Sequence, residues 1–383
     1  MLPEPMPDQI RVLIAPNSMK GSLDAFRFAE IIAEAFQSVS PRFKTICKPV
    51  ADGGDFTADI LINEMGLAPR KIQVHDPLGR MANAAYGLGN KLAIIEMANA
   101  SGMKLLDDDE LNPMKTSSKG TGDMIADAVG KGAKTIWLGI GGSATIDGGM
   151  GLLEALGVLF YDREGERLSA SGASVGGIWH WDDSALLSYR DIEIKVICDV
   201  ENPLLGKSGA VEVFGKQKGA SPETMPVLEQ NLSHFSALIQ QKKNKVLDEV
   251  EGMGAAGGIN LALVGFLNAQ IVPGADFVLD RIGFDKELEM AQLAITGEGR
   301  IDGQTANNKA PFAVLKRARQ KNIPVIAIGG KVTPEGAALF DRVYSLMNDE
   351  VDLQTAIRQA AELVSQRARQ AAHDFLERYF KAF

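Results

Sequence analysis

The chain is poor in cysteine, histidine and tryptophan: its 383 residues include two Cys, four His and three Trp. Cys47 and Cys198 make neither a disulfide framework nor a zinc spacing, so a reducing compartment, the cytoplasm, is the expected setting. Each lies in an apolar, strand-like run and reads as a structural thiol. His75, His180, His234 and His373 show no pairing at ligand spacing, and none sits in a glycine-rich loop. That argues against histidine-bound zinc and against a Ser-His triad. Positive charge is short as well, 40 Lys and Arg against 49 Asp and Glu, for a net charge of -9. No basic stripe interleaved with aromatics offsets it, so nucleic acid is not an expected partner. No apolar run approaches the length of a membrane span. Residues 1–8 are proline-rich and acidic, without the basic and apolar regions of a signal peptide, and read as a flexible leader.

What the chain has in excess is glycine, 40 residues, gathered in loops. Its length suggests two domains, or one large α/β body with an insertion. Strand-like apolar runs fall at 11–15, 45–50, 93–97, 135–140, 192–198, 293–296, 325–328 and 342–346. Several are continuous rather than alternating, as in strands covered on both faces. The clearest helix is expected over 22–38, with Ala25, Phe28, Ala29, Ile32, Ala33 and Phe36 on one face and Ser22 as N-cap. Alternation of strand and helix predicts a doubly wound parallel sheet. It is clean in 10–65 and 290–383, whereas 69–115 and 160–285 are irregular. The reading is a discontinuous first domain, 1–68 plus about 290–383, with a second α/β domain of about 69–289 inserted into it; the unit at 116–150 could belong to either. The final helices, from about 354 to 383, are expected to cover the sheet, with a homo-oligomer contact as the alternative.

Several strand ends open into loops where glycine meets a charged or hydroxyl residue. They are Pro16-Asn-Ser-Met-Lys-Gly-Ser22, Ala51-Asp-Gly-Gly-Asp55, Gly139-Ile-Gly-Gly-Ser-Ala-Thr145 with Asp147, Cys198-Asp-Val-Glu-Asn-Pro203 and Thr296-Gly-Glu-Gly-Arg-Ile-Asp302. Ligands of open parallel sheets bind outside the carboxyl ends of strands, so these loops are expected to converge. The loop at 139–145 is the best phosphate cradle: Gly139, Gly141 and Gly142 let backbone amides approach oxyanions, and Ser143 and Thr145 add hydroxyls. A helix is expected to follow through about Gly157, its positive end toward the phosphates. A plain tight turn is the alternative. Lys20 is placed to neutralise a β- or γ-phosphate oxygen, and Lys309 has a similar claim. Arg300 suits a bidentate grip on a carboxylate. The substrate carboxylate could also sit at the helix start near Ser117, Ser118, Gly120 and Thr121. Magnesium needs one or two carboxylates besides phosphate and water, and Asp52, Asp55, Asp147, Asp199, Glu298 and Asp302 are the supply. Each alone is as readily a turn or cap residue.

Two patterns imitate other sites. Gly139, Gly141 and Ala144 satisfy G-x-G-x-x-A, with Asp162 about 20 residues on, which formally permits an NAD-dependent dehydrogenase. Gly206-Lys-Ser208 imitates the end of a Walker A loop, but Glu201 stands where its first glycine belongs.

The loops together resemble the bacterial glycerate kinase family, the type acting at the 2-position. The blocks are Ala15-Pro-Asn-Ser-Met-Lys-Gly-Ser22, Val50-Ala-Asp-Gly-Gly54, Ile95-Glu-Met-Ala98, Gly139-Ile-Gly-Gly-Ser-Ala-Thr145, Cys198-Asp-Val200, Gln217-Lys-Gly219, Gly254-Ala-Ala-Gly-Gly258 and Ile295-Thr-Gly-Glu-Gly-Arg-Ile-Asp302. They occur in order across nearly the whole chain. The resemblance implies ATP- and Mg2+-dependent conversion of D-glycerate to 2-phosphoglycerate. It also implies two α/β domains, one flavodoxin-like and one of unusual topology, with the active site between them.

On that reading the amides of 139–145 hold ATP phosphates and Lys20 offsets the γ-phosphate. Asp199 and Asp302, with Glu298, hold Mg2+ or orient the 2-hydroxyl, while Asn17, Ser18, Asp52 and Ser117 contact substrate. Three positions depart from the pattern: Asn17 stands for an Asp, Phe56 for a glycine and Ile146 for an Asn. They keep two alternatives open, a kinase forming 3-phosphoglycerate and a non-catalytic sensor of glycerate or nucleotide.

Overall fold

The computed structural model describes residues 8–248, 250–306 and 309–381, so the leader expected at 1–8 lies, but for Asp8, outside the described residues. The chain divides into two compact units, Met1–Asp52 with Gly274–Phe383, and Gly53–Pro273.

The first unit holds a five-stranded sheet ordered Arg342–Ser345, Val325–Val332, Leu293–Ile301, Ile10–Ile14, Phe43–Cys47. Every pairing is parallel. Numbered within the unit the order is 5-4-3-1-2, the flavodoxin-like order read from its other edge. The strands Ile10–Ile14 and Leu293–Ile301 therefore flank the topological switch point, where successive crossovers leave on opposite faces. The helix Ala25–Val39 buries Phe28, Ala29, Ile32 and Phe36 as the i, i+3, i+4 spacing requires. Its N-cap is Asp24, accepting from the Arg27 amide at 2.8 Å, rather than Ser22. Ser22 instead donates its hydroxyl to the Met19 carbonyl in the preceding turn. The helix packs on Ala360–Lys381, whose Val364, Ala368, Ala371 and Ala372 are fully buried.

One element departs from its sequence pattern. The strand starting at Leu293 was expected to end at Thr296, yet it continues to Ile301, pairing Glu298 with Gly329 and Arg300 with Lys331. The residues Gly297, Gly299 and Gly330 explain both facts: they mask the apolar signal while permitting close pairing. A Cβ on Gly297 would meet the Phe28 ring at 2.8 Å, and one on Gly330 would meet the Gly299 carbonyl oxygen at 2.5 Å.

The second unit is built on a six-stranded sheet, ordered Gln270–Val272, Glu193–Ile197, Thr135–Gly139, Leu92–Glu96, Met81–Gly89, Ala68–His75. The first four run parallel, and the last two close the edge as an antiparallel hairpin. That hairpin is missing from the sequence reading because Ala68–His75 buries only Val74. A small three-stranded sheet and the helices Met225–Lys243 and Asn260–Leu267 complete the unit. Residues 53–68, including the helix Thr57–Met65, belong here, as does 116–150, whereas 274–289 belong to the first unit. Thr57–Met65 packs on Leu92–Glu96, a contact that no local pattern announces. Among the described residues no helix is long and apolar enough to cross a membrane.

Candidate functional site

In the first unit, three strand ends bring polar groups to the switch point. The strand Ile10–Ile14 leads into Asn17, whose amide donates to the Gly297 carbonyl at 2.8 Å. The Thr296 hydroxyl donates back to the Ala15 carbonyl at 2.8 Å, locking the two strand ends together. The next strand leads to Asp52, and Asn17 Nδ2 donates to Asp52 Oδ2 at 3.3 Å. The Asn17 side-chain oxygen accepts from the Ser18 amide at 2.8 Å, so both ends of this side chain are engaged. From Leu293–Ile301 come Glu298 and, one residue beyond, Asp302, each 7% exposed.

Thr305, absent from the sequence reading, ties the two acids together. Its hydroxyl donates to Glu298 Oε1 at 2.9 Å and accepts from the Asp302 amide at 3.1 Å. Lys309 Nζ stands 4.0 Å from Glu298 Oε2, and Arg300 Nε lies 2.6 Å from Asp302 Oδ2. Burial pushes the Glu298 carboxyl up to about 7, opposed by Lys309 and the Thr305 hydroxyl and reinforced by the negative charges of Asp52 and Asp302. Repulsion from Asp52 and Asp302 on Glu298 is offset in part by Lys309, while Asp302 is paired with Arg300. Among the described residues no three acidic, histidine or cysteine side chains are grouped closely enough to hold a metal ion by themselves, so magnesium would fit here only on one or two carboxylates completed by phosphate and water. Lys20 is exposed in the loop after the first strand, and Arg300 is largely exposed.

In the second unit, the loop 139–145 follows the strand Thr135–Gly139 as expected, but it is more buried than a cradle reading implies. The Gly141 amide donates to the Gly53 carbonyl at 3.0 Å and the Ala144 amide to the Ser101 carbonyl at 2.9 Å. Gly141 and Gly142 are half-buried, and a Cβ on Gly141 would lie 2.5 Å from Gly54 Cα, so glycine is required by close backbone approach. Behind the loop, Lys218 Nζ donates to Ser143 Oγ at 2.7 Å and to the Thr145 carbonyl at 2.8 Å.

The helix after this loop departs from expectation. It is short, Met150–Ala155, and its amino end faces Asp147 rather than an open phosphate site. Asp147 is fully buried and accepts from the Ser118 amide at 2.7 Å, the Ser118 hydroxyl at 2.8 Å, and the Gly149 and Gly151 amides at 3.1 Å each. Burial raises its carboxyl above the usual range, and those four donors oppose the rise. Asp147 therefore caps a helix and drops out of the magnesium supply.

The start of the helix Lys119–Gly130 is likewise occupied from within. Thr121 donates through its amide and hydroxyl to Ser101 Oγ, at 3.2 and 2.8 Å, and Ser117 Oγ accepts from the Lys119 amide at 3.3 Å. With Ser118 held by Asp147, the Ser118, Lys119 and Thr121 amides at this helix start are engaged within the fold.

Asp199 is half-buried beyond the strand Glu193–Ile197 of the same unit. Glu96, unremarked by its spacing, ends the strand Leu92–Glu96 and accepts from the Phe56 amide at 3.4 Å and the Ala58 amide at 3.2 Å. Phe56 has φ of +67°, the left-handed region, which accounts for the glycine common there in the resemblant pattern. The predicted residues thus fall into two sets. Asn17, Asp52, Glu298, Asp302, Arg300 and Lys309 gather in the first unit, with Ser18 and Lys20 on its first loop; Ser117, the glycines and hydroxyls of 139–145, and Asp199 lie in the second. Lys218 carried one signal in the sequence, a lysine between Gly215 and Gly219.

A parallel sheet with acids and a lysine at its switch point, and glycine turns at the carboxyl ends of the parallel strands of a second, mixed sheet, define an α/β protein. The chain belongs to the glycerate kinase family, whose model, described as "Glycerate kinase family", matches residues 12–376. It is 39% identical over 370 residues to a glycerate kinase of Bacillus subtilis (strain 168), covering 95% of this chain and 97% of that one. A glycerate 2-kinase of Escherichia coli (strain K12) is 38% identical over 370 residues, with the same coverage of 95% and 97%. A crystal structure of a candidate glycerate kinase 2 from Salmonella typhimurium LT2 matches with a TM-score of 0.82 and 38% identity, over 96% of this chain and 99% of that one.

Proposed function

We propose that the protein transfers the γ-phosphoryl group of ATP to the 2-hydroxyl of D-glycerate, giving 2-phospho-D-glycerate and ADP with Mg2+ as cofactor. The observation that carries this reading is the 38% identity, over 95% of the chain, to a relative named a glycerate 2-kinase. The acids at the switch point of the first unit support it chemically. In the transfer, the substrate hydroxyl oxygen bonds the γ-phosphorus, the bridging oxygen leaves with ADP, and the hydroxyl proton passes to a carboxylate of the cluster.

Glu298 and Asp302 are proposed to hold Mg2+, and Asp199 is proposed for it as the family pattern implies. When bound, the ion supplies neutralisation of phosphate charge. Lys20 offsets γ-phosphate charge, Lys309 serves the nucleotide, and the turns of 139–145 support its phosphates. Arg300, exposed beside Asp302, can swing to grip the glycerate carboxylate. Asn17, Ser18 and Asp52 orient the hydroxyl. A loose, metaphosphate-like transition state asks little of a base before transfer, so Asn17 costs orientation rather than a proton acceptor. The free thiols Cys47 and Cys198 suit a cytoplasmic setting.

Phosphorus NMR of purified protein with ATP, Mg2+ and D-glycerate tests the reading, and the expected product is 2-phosphoglycerate. A 3-phosphoglycerate signal overturns the position of transfer. Absence of turnover with saturable glycerate binding overturns the kinase reading in favour of a sensor.

A further inference from the structure

Lys218 is the most deeply buried cation that the fold describes next to a candidate ligand loop. It is 2% exposed, at the end of a short 3-10 turn, Lys216–Lys218. The following residue, Gly219, has φ of +87°, and a Cβ there would collide with the Leu111 carbonyl, so the backbone that carries the lysine is fixed. Its two acceptors, Ser143 Oγ and the Thr145 carbonyl, are both neutral oxygens. Nearby, the Thr145 hydroxyl is buried with no hydrogen-bond partner. The ammonium's hydrogen bonds go to neutral oxygens only, with the Asp147 carboxylate acting on it through space, and such a buried charge gains from any further negative charge that binds close by.

We propose that Lys218 is a positioning residue for the nucleotide, which fixes Ser143 and Thr145 in the 139–145 loop and lends its positive charge to a phosphate bound against that loop. This rests on the proposal that the loop serves ATP. Lys218 does not reach the ligand itself; Ser143 stands between, its hydroxyl polarised by the ammonium and its remaining proton free to turn toward an anion.

Burial pushes the lysine down to about 7, and the Asp147 carboxylate opposes the fall. Among the described residues Asp147 is the one titratable group that acts on it. The sign follows. Below that value the loop carries a positive charge at its back, and above it the amine is neutral. A neutral amine keeps two N–H donors, so it still holds Ser143 and Thr145; only the charge is lost. A structural lysine would therefore leave ATP binding flat with pH, whereas the proposed role makes it weaken as pH rises.

The test measures KM for ATP, KM for glycerate and kcat from about pH 6 to about pH 9 with Mg2+ saturating, in wild type, Lys218→Met, Ser143→Ala and the double variant. The expected result is a rise of about tenfold or more in KM for ATP in Lys218→Met at low pH, with KM for glycerate within about twofold, as for loss of one charge-assisted contact. Wild-type KM for ATP should climb with pH, and Ser143→Ala should flatten that climb. The double variant should match Lys218→Met rather than compound the two losses. If Ser143→Ala impairs ATP but Lys218→Met does not, the role of Lys218 is overturned while the loop reading stands. If neither variant touches KM for ATP, the loop reading itself falls. Should Lys218→Met fail to fold, the pH profiles of wild type and Ser143→Ala decide: a flat wild-type profile overturns the proposal.

Discussion

The two units concentrate charge in opposite ways. At the switch point of the first unit, Asp52 and Asp302 push the Glu298 carboxyl up, with Lys309 4.0 Å from Glu298 and Arg300 2.6 Å from Asp302, so the acids there meet side-chain cations. In the second unit, Asp147 is just as buried, yet four donors surround it. A buried carboxylate thus meets side-chain cations in one place and chiefly backbone amides in the other. What separates them is the supply of backbone donors: Asp147 sits at a helix start and a glycine turn, while Glu298 sits on a strand whose amides are committed to its neighbours.

The largest effect should come from breaking the satisfied site. Asp147→Ala strips four donors of their acceptor and leaves Lys218 without its nearby negative charge. A loss of roughly 3–5 kcal/mol in urea unfolding is expected, as for a broken buried charge. A loss below about 1 kcal/mol would mean that Asp147 is not the structural partner described. At the switch point the expected damage is to rate instead. Lys20→Ala and Asp302→Asn should each lower kcat by about 10²–10³ with the fold intact, the cost of one preorganised contact. A Lys20→Ala enzyme with the wild-type rate removes that residue from the mechanism.

A subtler comparison concerns Glu96, which burial pushes up to about 7 from 4.5, with the Ala58 amide and Lys104 opposing. The folded state therefore holds this proton more tightly than the unfolded chain does. That contribution is complete below about 4.5 and is lost as pH rises through about 7. Glu96→Gln, which stays neutral, should match wild type at low pH and be roughly 1–3 kcal/mol more stable above neutrality. Denaturant midpoints of both proteins across the window check the sign. The smallest effect lies next door. Phe56→Val should cost roughly 1–2 kcal/mol, because a β-branched residue suits the left-handed region badly, whereas Phe56→Gly should stay within about 1 kcal/mol of wild type. Equal losses for the two would show that the ring's packing, not its backbone, matters there.

Much of the first unit was legible. The helix Ala25–Val39 announced its buried face through Phe28, Ile32 and Phe36, and the strand before it, Ile10–Ile14, was largely apolar, whereas the strand after it, Phe43–Cys47, overlaps the expected run at 45–50 only in its last three residues. The carboxylates Glu298 and Asp302 stood out only as part of a set of acids on successive strand ends, since each alone reads as a turn or cap residue. Less legible was the stretch from Gly297 to Ile301, where the two charged side chains Glu298 and Arg300, alternating with glycines, hide a strand that lies within the sheet. The edge strand Ala68–His75 was hidden too, since a strand that buries only Val74 has no pattern to show. Thr305 escaped, and Lys218 and Glu96 appeared only inside the blocks of the family resemblance with no role attached, because Lys218 and Glu96 act on groups far away in sequence and Thr305 acts through a turn of its own.

By itself the sequence determined the alternation of strands and helices, the places where glycine frees a strand end for a ligand, and the family to which those blocks belong. These are local properties: periodicity, turn chemistry and short ordered motifs are written in neighbouring residues. Only the tertiary structure decided which partners each acid has. Asp147 and Glu298 look alike in the sequence, each beside glycine, and the difference between a carboxylate capped by amides and one facing Thr305 and Lys309 is set by groups brought together by the fold of each unit.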